Sequence, residues 1–176
     1  MGDKYAVGDA VPQIDESAWI APGAIVIGTV SIGPESSVYY GCVLRADWGE
    51  IAVGSGTNLQ DGTIVHADPG FPTSIGDRVS VGHRALIHGA VVEDDVLVGM
   101  SSTVLNGAHI GTGSLIAAGA VVLEGTEIPP HSLVAGVPAK VRRTMTESDR
   151  RHVLDNADHY LQITELHKTQ VRPVDG

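Results

Sequence analysis

A branched aliphatic residue returns at every sixth position along most of this chain. From Ile14 the series runs through Ile20, Val26, Ile32, Val38 and Leu44, resumes after a nine-residue step at Val53, Leu59 and Val65, and resumes after a ten-residue step at Ile75, Val81 and Ile87. A five-residue step leads to Val92, and sixes continue through Val98, Val104, Ile110, Ile116, Val122, Ile128 and Val134. Glycine often follows an anchor (Gly33, Gly54, Gly76, Gly82, Gly99, Gly111), and small residues recur four places on (Ala85, Ser102, Ala108, Ser114, Ala120). A six-residue period is neither helical nor that of a hairpin; it suits a parallel solenoid of short strands joined by tight corners. Three strands then make a coil of about 18 residues, giving roughly seven coils.

Composition agrees with that reading. Apolar residues make up 43% of the 176 positions and aromatics only 4%, so the core must be built from small and branched aliphatic side chains. Eleven basic residues against 21 acidic ones give a net charge of −10, which argues against a nucleic-acid partner. Cys42 is the one cysteine and lies in an apolar stretch, where a packed thiol is expected. With neither a signal-peptide core nor an apolar run of membrane-spanning length, the expectation is a cytoplasmic protein with no membrane association.

The lattice also sorts the histidines. If three anchors complete a coil, Val26, Leu44, Val65, Ile87 and Val104 stack on one face, and Val38, Leu59, Val81 and Val98 on another. The residues directly after the first set form the column Ile27, Arg45, His66, His88, Leu105. His66 and His88 are then neighbours in successive coils, about 4.8 Å apart along the backbone ladder. That spacing suits two ligands of one ion, since zinc takes nitrogen at about 2.0–2.1 Å. His83 follows Val81 by two places and falls on the other face, where it should not reach the same ion within one chain. A triangular prism can close into a cyclic trimer. The expected arrangement is a homotrimer with metal sites between subunits, each taking His66 and His88 from one chain and His83 from the next. Arg45 and Asp47 share the face of the histidine pair, whereas Asn58, Gln60 and Asp61 share that of His83, so packed faces would set Arg45 and Asp47 against the Asp61 of a neighbour.

The segments RAD at 45–47, NLQDG at 58–62, VH at 65–66 and GHRALIHG at 82–89 resemble, in order and spacing, the γ-class carbonic anhydrase family. Residues 11–143 as a whole resemble the hexapeptide-repeat, left-handed β-helix proteins to which that family belongs. The left hand comes from this resemblance alone, since parallel crossovers are in general right-handed. The resemblance implies a trimer with Zn2+, or Fe2+ or Co2+, on His66, His83 and His88. It further implies that Gln60 orients metal-bound water and that Arg45, Asp47 and Asp61 bridge subunits, with Asn58 in the same motif as Gln60. The implied reaction is reversible hydration of carbon dioxide to bicarbonate by metal-bound hydroxide, which three neutral imidazoles favour by lowering the water pKa towards ~7.

Proton export is where the chain departs from the family pattern. The archaeal prototype carries a glutamate just after the Arg-x-Asp segment and another in a longer acidic loop after the first histidine. Trp48 occupies the former position here, and the loop is the short ADPGFPTS, whose one acid is Asp68. Asp68 is the one substitute shuttle on offer, but a solvated loop carboxylate is its expected reading. The departure keeps alternatives open: a metal-binding trimer of the same family with weak or no hydration activity, acting as an acyl-CoA thioesterase or a scaffold, and more distantly a hexapeptide acyltransferase.

The remaining segments frame the solenoid. Residues 1–10 read as an N-terminal segment, 11–143 as the β-helix, 144–167 as a helix and 168–176 as a frayed tail. GVPAKVRR at 136–143 marks the end of the repeat and resembles the closing stretch of hexapeptide acyltransferases too. Thr144 with Glu147 fits a capping box, followed at helical spacing by Val153, Ala157, Tyr160 and Leu161. Tyr160 could approach a metal site from this helix, although core packing is its expected role. His109, His131, His152, His159 and His167 lack a ligand constellation and are expected to be exposed.

Overall fold

The computed structural model describes residues 2–174. It is a left-handed parallel β-helix with one C-terminal α-helix. All the anchors from Ile20 to Val134 are buried, and Ile14 packs against them from the open end of the first coil. One face stacks seven of them in parallel register: Ile20, Val38, Leu59, Val81, Val98, Ile116 and Val134. A second face stacks Val26, Leu44, Val65, Ile87, Val104 and Val122. The third carries Ile14, Ile32, Val53, Ile75, Val92, Ile110 and Ile128. Alternation along each strand sends the anchor inward and its neighbours outward, so any residue adjacent to an anchor is offered to the surface.

The departures from the six-residue step have structural causes. The strand Val43–Val53 runs unbroken round a corner, pairing Val43–Arg45 with Ile64–His66 and Ile51–Val53 with Thr73–Ile75. Its extra residues, which fall between Ala46 and Ile51, push Asp47 and Trp48 outward beside the second face. The next long step, after Val65, holds the loop between the strands Ile64–His66 and Thr73–Ile75, closed by an isolated bridge between Asp68 and Phe71. Glycine after an anchor is required by close stacking: a Cβ at Gly82 would come within 2.7 Å of Met100 N, and one at Gly99 within 2.5 Å of Ala118 N.

At GVPAKVRR the strand Lys140–Thr144 folds back antiparallel on Ser132–Ala135 and closes the last edge. At the other end, Asp3–Tyr5 pairs with Ile25–Ile27 and so lies in the sheet. The helix is displaced from its expected start. Thr144 pairs with Ser132 in the closing strand and cannot cap a helix. The cap is Thr146, whose hydroxyl accepts from Asp149 N at 3.2 Å while its own N–H donates to Asp149 at 2.8 Å.

The helix runs from Glu147 to Gln170, past the expected boundary, and is pinned along the face that bears His83. Val153, Ala157 and Thr164 are buried beneath it. The Thr164 and Tyr39 hydroxyls lie 2.9 Å apart, and Lys168 donates to Ser17 O at 2.9 Å. His167 is also a correction: expected to be exposed, it lies 2.8 Å from the Tyr40 hydroxyl and edge-on to Trp19. The last two residues of the expected tail lie outside those described. No described helix is long and apolar enough to cross a membrane.

Candidate metal centre

Val65 and Ile87 pair in adjacent coils and point inward, so His66 and His88, which directly follow them, pair in register on the outer side. His66 Nδ1 and His88 Nε2 are 2.9 Å apart, and both rings are partly buried. Buried Thr73 staples their strands, its hydroxyl donating to His66 O at 2.6 Å and accepting from Gly89 N at 2.9 Å. The pair is therefore held by backbone register and by a hydrogen bond at the turn that links the two coils.

Two carboxylates complete this corner. The bulged strand brings Asp47 Oδ1 to 3.1 Å from His66 Nε2, and the other Asp47 oxygen accepts from Arg45 of the same strand. His66 first, with Arg45 as a further partner, holds the Asp47 carboxyl below the usual carboxylate range. Asp68, one of whose expected roles is a freely solvated loop carboxylate, is instead anchored. It accepts from Asn106 Nδ2 at 3.0 Å, and its oxygens stand 3.7 Å from His66 Nδ1 and 4.0 Å from His88 Nδ1. His66, Asp68 and His88 offer three donor atoms within 4.8 Å of one another. Two imidazoles and carboxylate oxygen suit a divalent first-row ion, and the one guanidinium at this corner, Arg45, is engaged by Asp47. The residues thus fit a metal.

His83 lies on the adjacent face and does not belong to that convergent set. Its Nδ1 lies 2.9 Å from Asp61 Oδ2, in the preceding coil. The carboxylate can only accept, so it selects the Nδ1–H form of a neutral ring and leaves the lone pair on Nε2. Nε2 is 3.4 Å from the Tyr160 hydroxyl. The Tyr160 ring packs edge-on against Tyr39 while its hydroxyl reaches His83, and desolvation pushes its pKa up to about 12. Gln60 is buried beside them, its amide donating to Asn58 Oδ1 at 3.0 Å, and Asn58 in turn donates to Ser80 at 2.9 Å. A cavity of about 360 Å³ opens here between helix and solenoid, lined by Gln60, His83, Met100, Leu115, Asn156 and Tyr160.

Asn106 and Thr73 are the polar residues at this corner that the sequence reading misses. Asn106 could have been found on the lattice, two places after Val104 and so one coil beyond Gly89, next to His88. Cys42 is a packed thiol as expected: it is buried, lies 3.1 Å from Gln60 O, and desolvation pushes its pKa up to about 12. Trp48, 80% exposed, packs on nothing substantial in its own chain. Of the outlying histidines, His109 bridges Glu93 and Glu127 on the third face at 2.8 and 3.1 Å.

Stacked six-residue turns with an outward histidine pair in adjacent coils define a hexapeptide-repeat β-helix protein with a candidate metal-binding corner. Family models for "Bacterial transferase hexapeptide (six repeats)" and "Hexapeptide repeat of succinyl-transferase" match residues 89–124 and 72–100. The chain is 43% identical to a carbonic anhydrase of Geobacillus kaustophilus, an alignment covering 93% of this chain and 90% of the relative. It is likewise 43% identical to mitochondrial gamma carbonic anhydrase 2 of Arabidopsis thaliana over 93% of its length. It spans only 61% of that plant protein. Among solved structures, a Bacillus cereus protein provisionally described as an acetyltransferase superposes with a TM-score of 0.94 at 36% identity, covering 96% of this chain and 98% of that one. The chain belongs to the γ-class carbonic anhydrase family.

Proposed function

We propose that this protein is a carbonic anhydrase that works as a homotrimer, with a divalent ion, Zn2+ in the first instance and Fe2+ or Co2+ as alternatives, held by His66 and His88 of one chain and His83 of the next. The observation that carries this reading is the division of the ligands: two imidazoles converge on one face, while a third is oriented by Asp61 on another, with its Nε2 met in its own chain by the Tyr160 hydroxyl at the long distance of 3.4 Å. Neighbouring prisms packed face to face would unite them.

His66, His88 and the neighbour's His83 would hold the ion as three neutral imidazoles, and the chemistry it would supply when bound is a lowering of water's pKa towards ~7, a source of hydroxide at neutral pH. The chain's own groups do the rest. Gln60, its nitrogen fixed by Asn58, orients the attacking water beside His83. Arg45 and Asp47 on one face meet Asp61 on the neighbour's and set the register of the two chains. Asp68, 3.7 Å from His66, accepts the proton that hydration releases and hands it to solvent from its partly exposed oxygens. The test is direct: purified protein should contain about one ion per chain, sediment as a trimer of about 55 kDa built from 18.3 kDa chains, and hydrate carbon dioxide in stopped flow. A monomer that carries its full complement of metal would overturn the shared site.

One observation favours a second reading, hydrolysis of an acyl-CoA thioester at the same centre. The cavity beside His83 is largely apolar, with Met100 and Leu115 in its wall, and offers far more room than a three-atom substrate occupies. Asn156 Oδ1, which lines it, is buried without a hydrogen-bond partner among the described residues. Release of free thiol from short acyl-CoA substrates, lost in His83→Ala, would support this reading; hydration activity without any thiol release would remove it.

A further inference from the structure

We propose that Asn106 is a positioning residue of the metal corner: its side-chain amide links the loop carboxylate Asp68 to His88 and thereby determines which nitrogen of His88 is free to bind a cation. The inference rests on reading this corner as a metal centre, but its argument needs only the hydrogen bonds.

An ionised carboxylate only accepts hydrogen bonds, so the atom of Asn106 that lies 3.0 Å from Asp68 Oδ2 must be its nitrogen. The amide oxygen is thereby turned towards His88 Nδ1, at 2.7 Å. An amide oxygen also only accepts, so His88 Nδ1 must carry the hydrogen. In a neutral ring the lone pair is then on Nε2, the nitrogen that stands 2.9 Å from His66. Flipping the amide would set oxygen against carboxylate, and the other imidazole tautomer would set a lone pair against the amide oxygen. Each alternative loses a hydrogen bond to Asn106 and places two acceptors in contact there, whereas the assigned forms, with His66 Nε2–H donating to Asp47, turn the lone pairs of His66 Nδ1 and His88 Nε2 towards one point, an arrangement that a shared cation would satisfy.

The fold holds this relay in place. Asn106 O accepts from Gly125 N at 2.9 Å, and Gly107 N donates to Gly89 O at 2.7 Å, which fixes the Asn106 turn against the one that follows His88. Gly89 has φ +57°, and a Cβ there would collide with Asn106 Oδ1 and with Phe71, so glycine at this position is what leaves room for the amide. Phe71 belongs to the loop that carries Asp68, and the two are bridged through their backbones. Loop, amide and imidazole therefore form one packed unit. Asp61 does the same for His83 directly; at His88 the carboxylate acts through an intervening amide.

The test uses the full-length protein and two probes: ring nitrogen shifts of His88 in the metal-free protein, assigned by their loss in His88→Ala, and Co2+ uptake followed by visible absorbance. Asn106→Leu fills the same space without the amide, and Asn106→Asp keeps an acceptor for His88. The Leu variant should give mixed His88 tautomers and bind Co2+ about 10–100-fold more weakly, while the Asp variant keeps the Nδ1–H form. Asp68→Ala should also release the tautomer, since nothing then orients the amide. If the Leu variant retains a pure Nδ1–H ring and undiminished Co2+ affinity, Asn106 only fills a corner and the proposal fails. Wild-type protein that takes up no Co2+ sinks the metal-centre reading, and the metal-free ring spectra still decide the relay.

Discussion

Asp61 and His83 face each other across successive coils, with carboxylate Oδ2 2.9 Å from ring Nδ1, and this pairing is what leaves the lone pair of a neutral His83 on Nε2. Neither group is deeply buried, so the contact contributes little to stability in the isolated chain. Its value is orientation. Polar residues two or three places after the anchors follow the same rule: Asp47 meets His66, Asn106 meets His88 and Asp61 meets His83.

The first prediction follows from that pairing. Asp61→Ala should leave the solenoid folded and lower metal affinity about 10–100-fold, the range typical of lost outer partners of a ligating histidine. Asp61→Asn should recover part of the loss, because its amide oxygen can still accept from Nδ1–H. Equilibrium competition with a chromophoric chelator measures both variants. Equal metal affinity in wild type and Asp61→Ala would show that His83 is oriented by something else.

A second prediction concerns assembly. Arg45 is half exposed in the isolated chain and engaged by Asp47. If the proposed interface covers it, Arg45→Ala leaves Asp47 and the neighbour's Asp61 without their cation, a class of change that costs ~3–5 kcal/mol when the pair is buried. Sedimentation on serial dilution should show trimers dissociating at higher protein concentration than wild type. Unchanged dissociation would mean that Arg45 stays in water and that the faces meet elsewhere.

How much of this was legible beforehand follows from the physics of each part. A solenoid repeats its register, so one count of apolar anchors fixes which residues share a column; His66 beside His88, and His83 apart from them, could be read without a structure. What broke the reading was local competition. Thr144 and Thr146 both offer a helix cap, and the antiparallel closing strand claims the first. The Asp68 loop has no period from which to place its carboxylate, and Asn106 matters only through that loop. His167 looks like a tail residue until the helix is seen to run back over the first coils, where Trp19 and Tyr40 receive it. Column position is a property of the repeat, whereas these contacts depend on what interrupts or follows it.

The helix cap yields a prediction in pH. The Arg143 guanidinium first, then the hydroxyl and N–H of Thr146, hold the Asp149 carboxyl well below the usual carboxylate range. Between the folded and unfolded pKa values the unfolded state binds more protons. The contribution to stability is therefore complete above the unfolded value of about 3.9 and is lost as pH falls through the lower folded value. Asp149→Asn should melt earlier than wild type at neutral pH, with the difference shrinking as the solution is acidified through that window. Thermal melts followed by circular dichroism would check this; a difference that grows on acidification would contradict the assignment.

Proton export gives the last prediction. Each hydration releases one proton, and Trp48, 80% exposed and without an ionisable group, cannot accept it. Asp68 is tied by Asn106 to a position 3.7 Å from His66 yet keeps part of its side chain in solvent, so it faces both the source of the proton and its sink. If it is the relay, wild-type turnover should depend little on buffer concentration at fixed pH and ionic strength. Asp68→Ala should turn over more slowly, by about 10²–10⁴-fold if the relay behaves as typical general acid–base groups do, and added imidazole should restore its rate. The Asn106→Leu variant separates transfer from positioning: it keeps the carboxylate but frees it, so its loss should be smaller and less responsive to imidazole. A wild-type rate that climbs steeply with buffer, and is unchanged by Asp68→Ala, would show that protons leave by direct transfer to small molecules and that Asp68 serves only to hold the amide of Asn106.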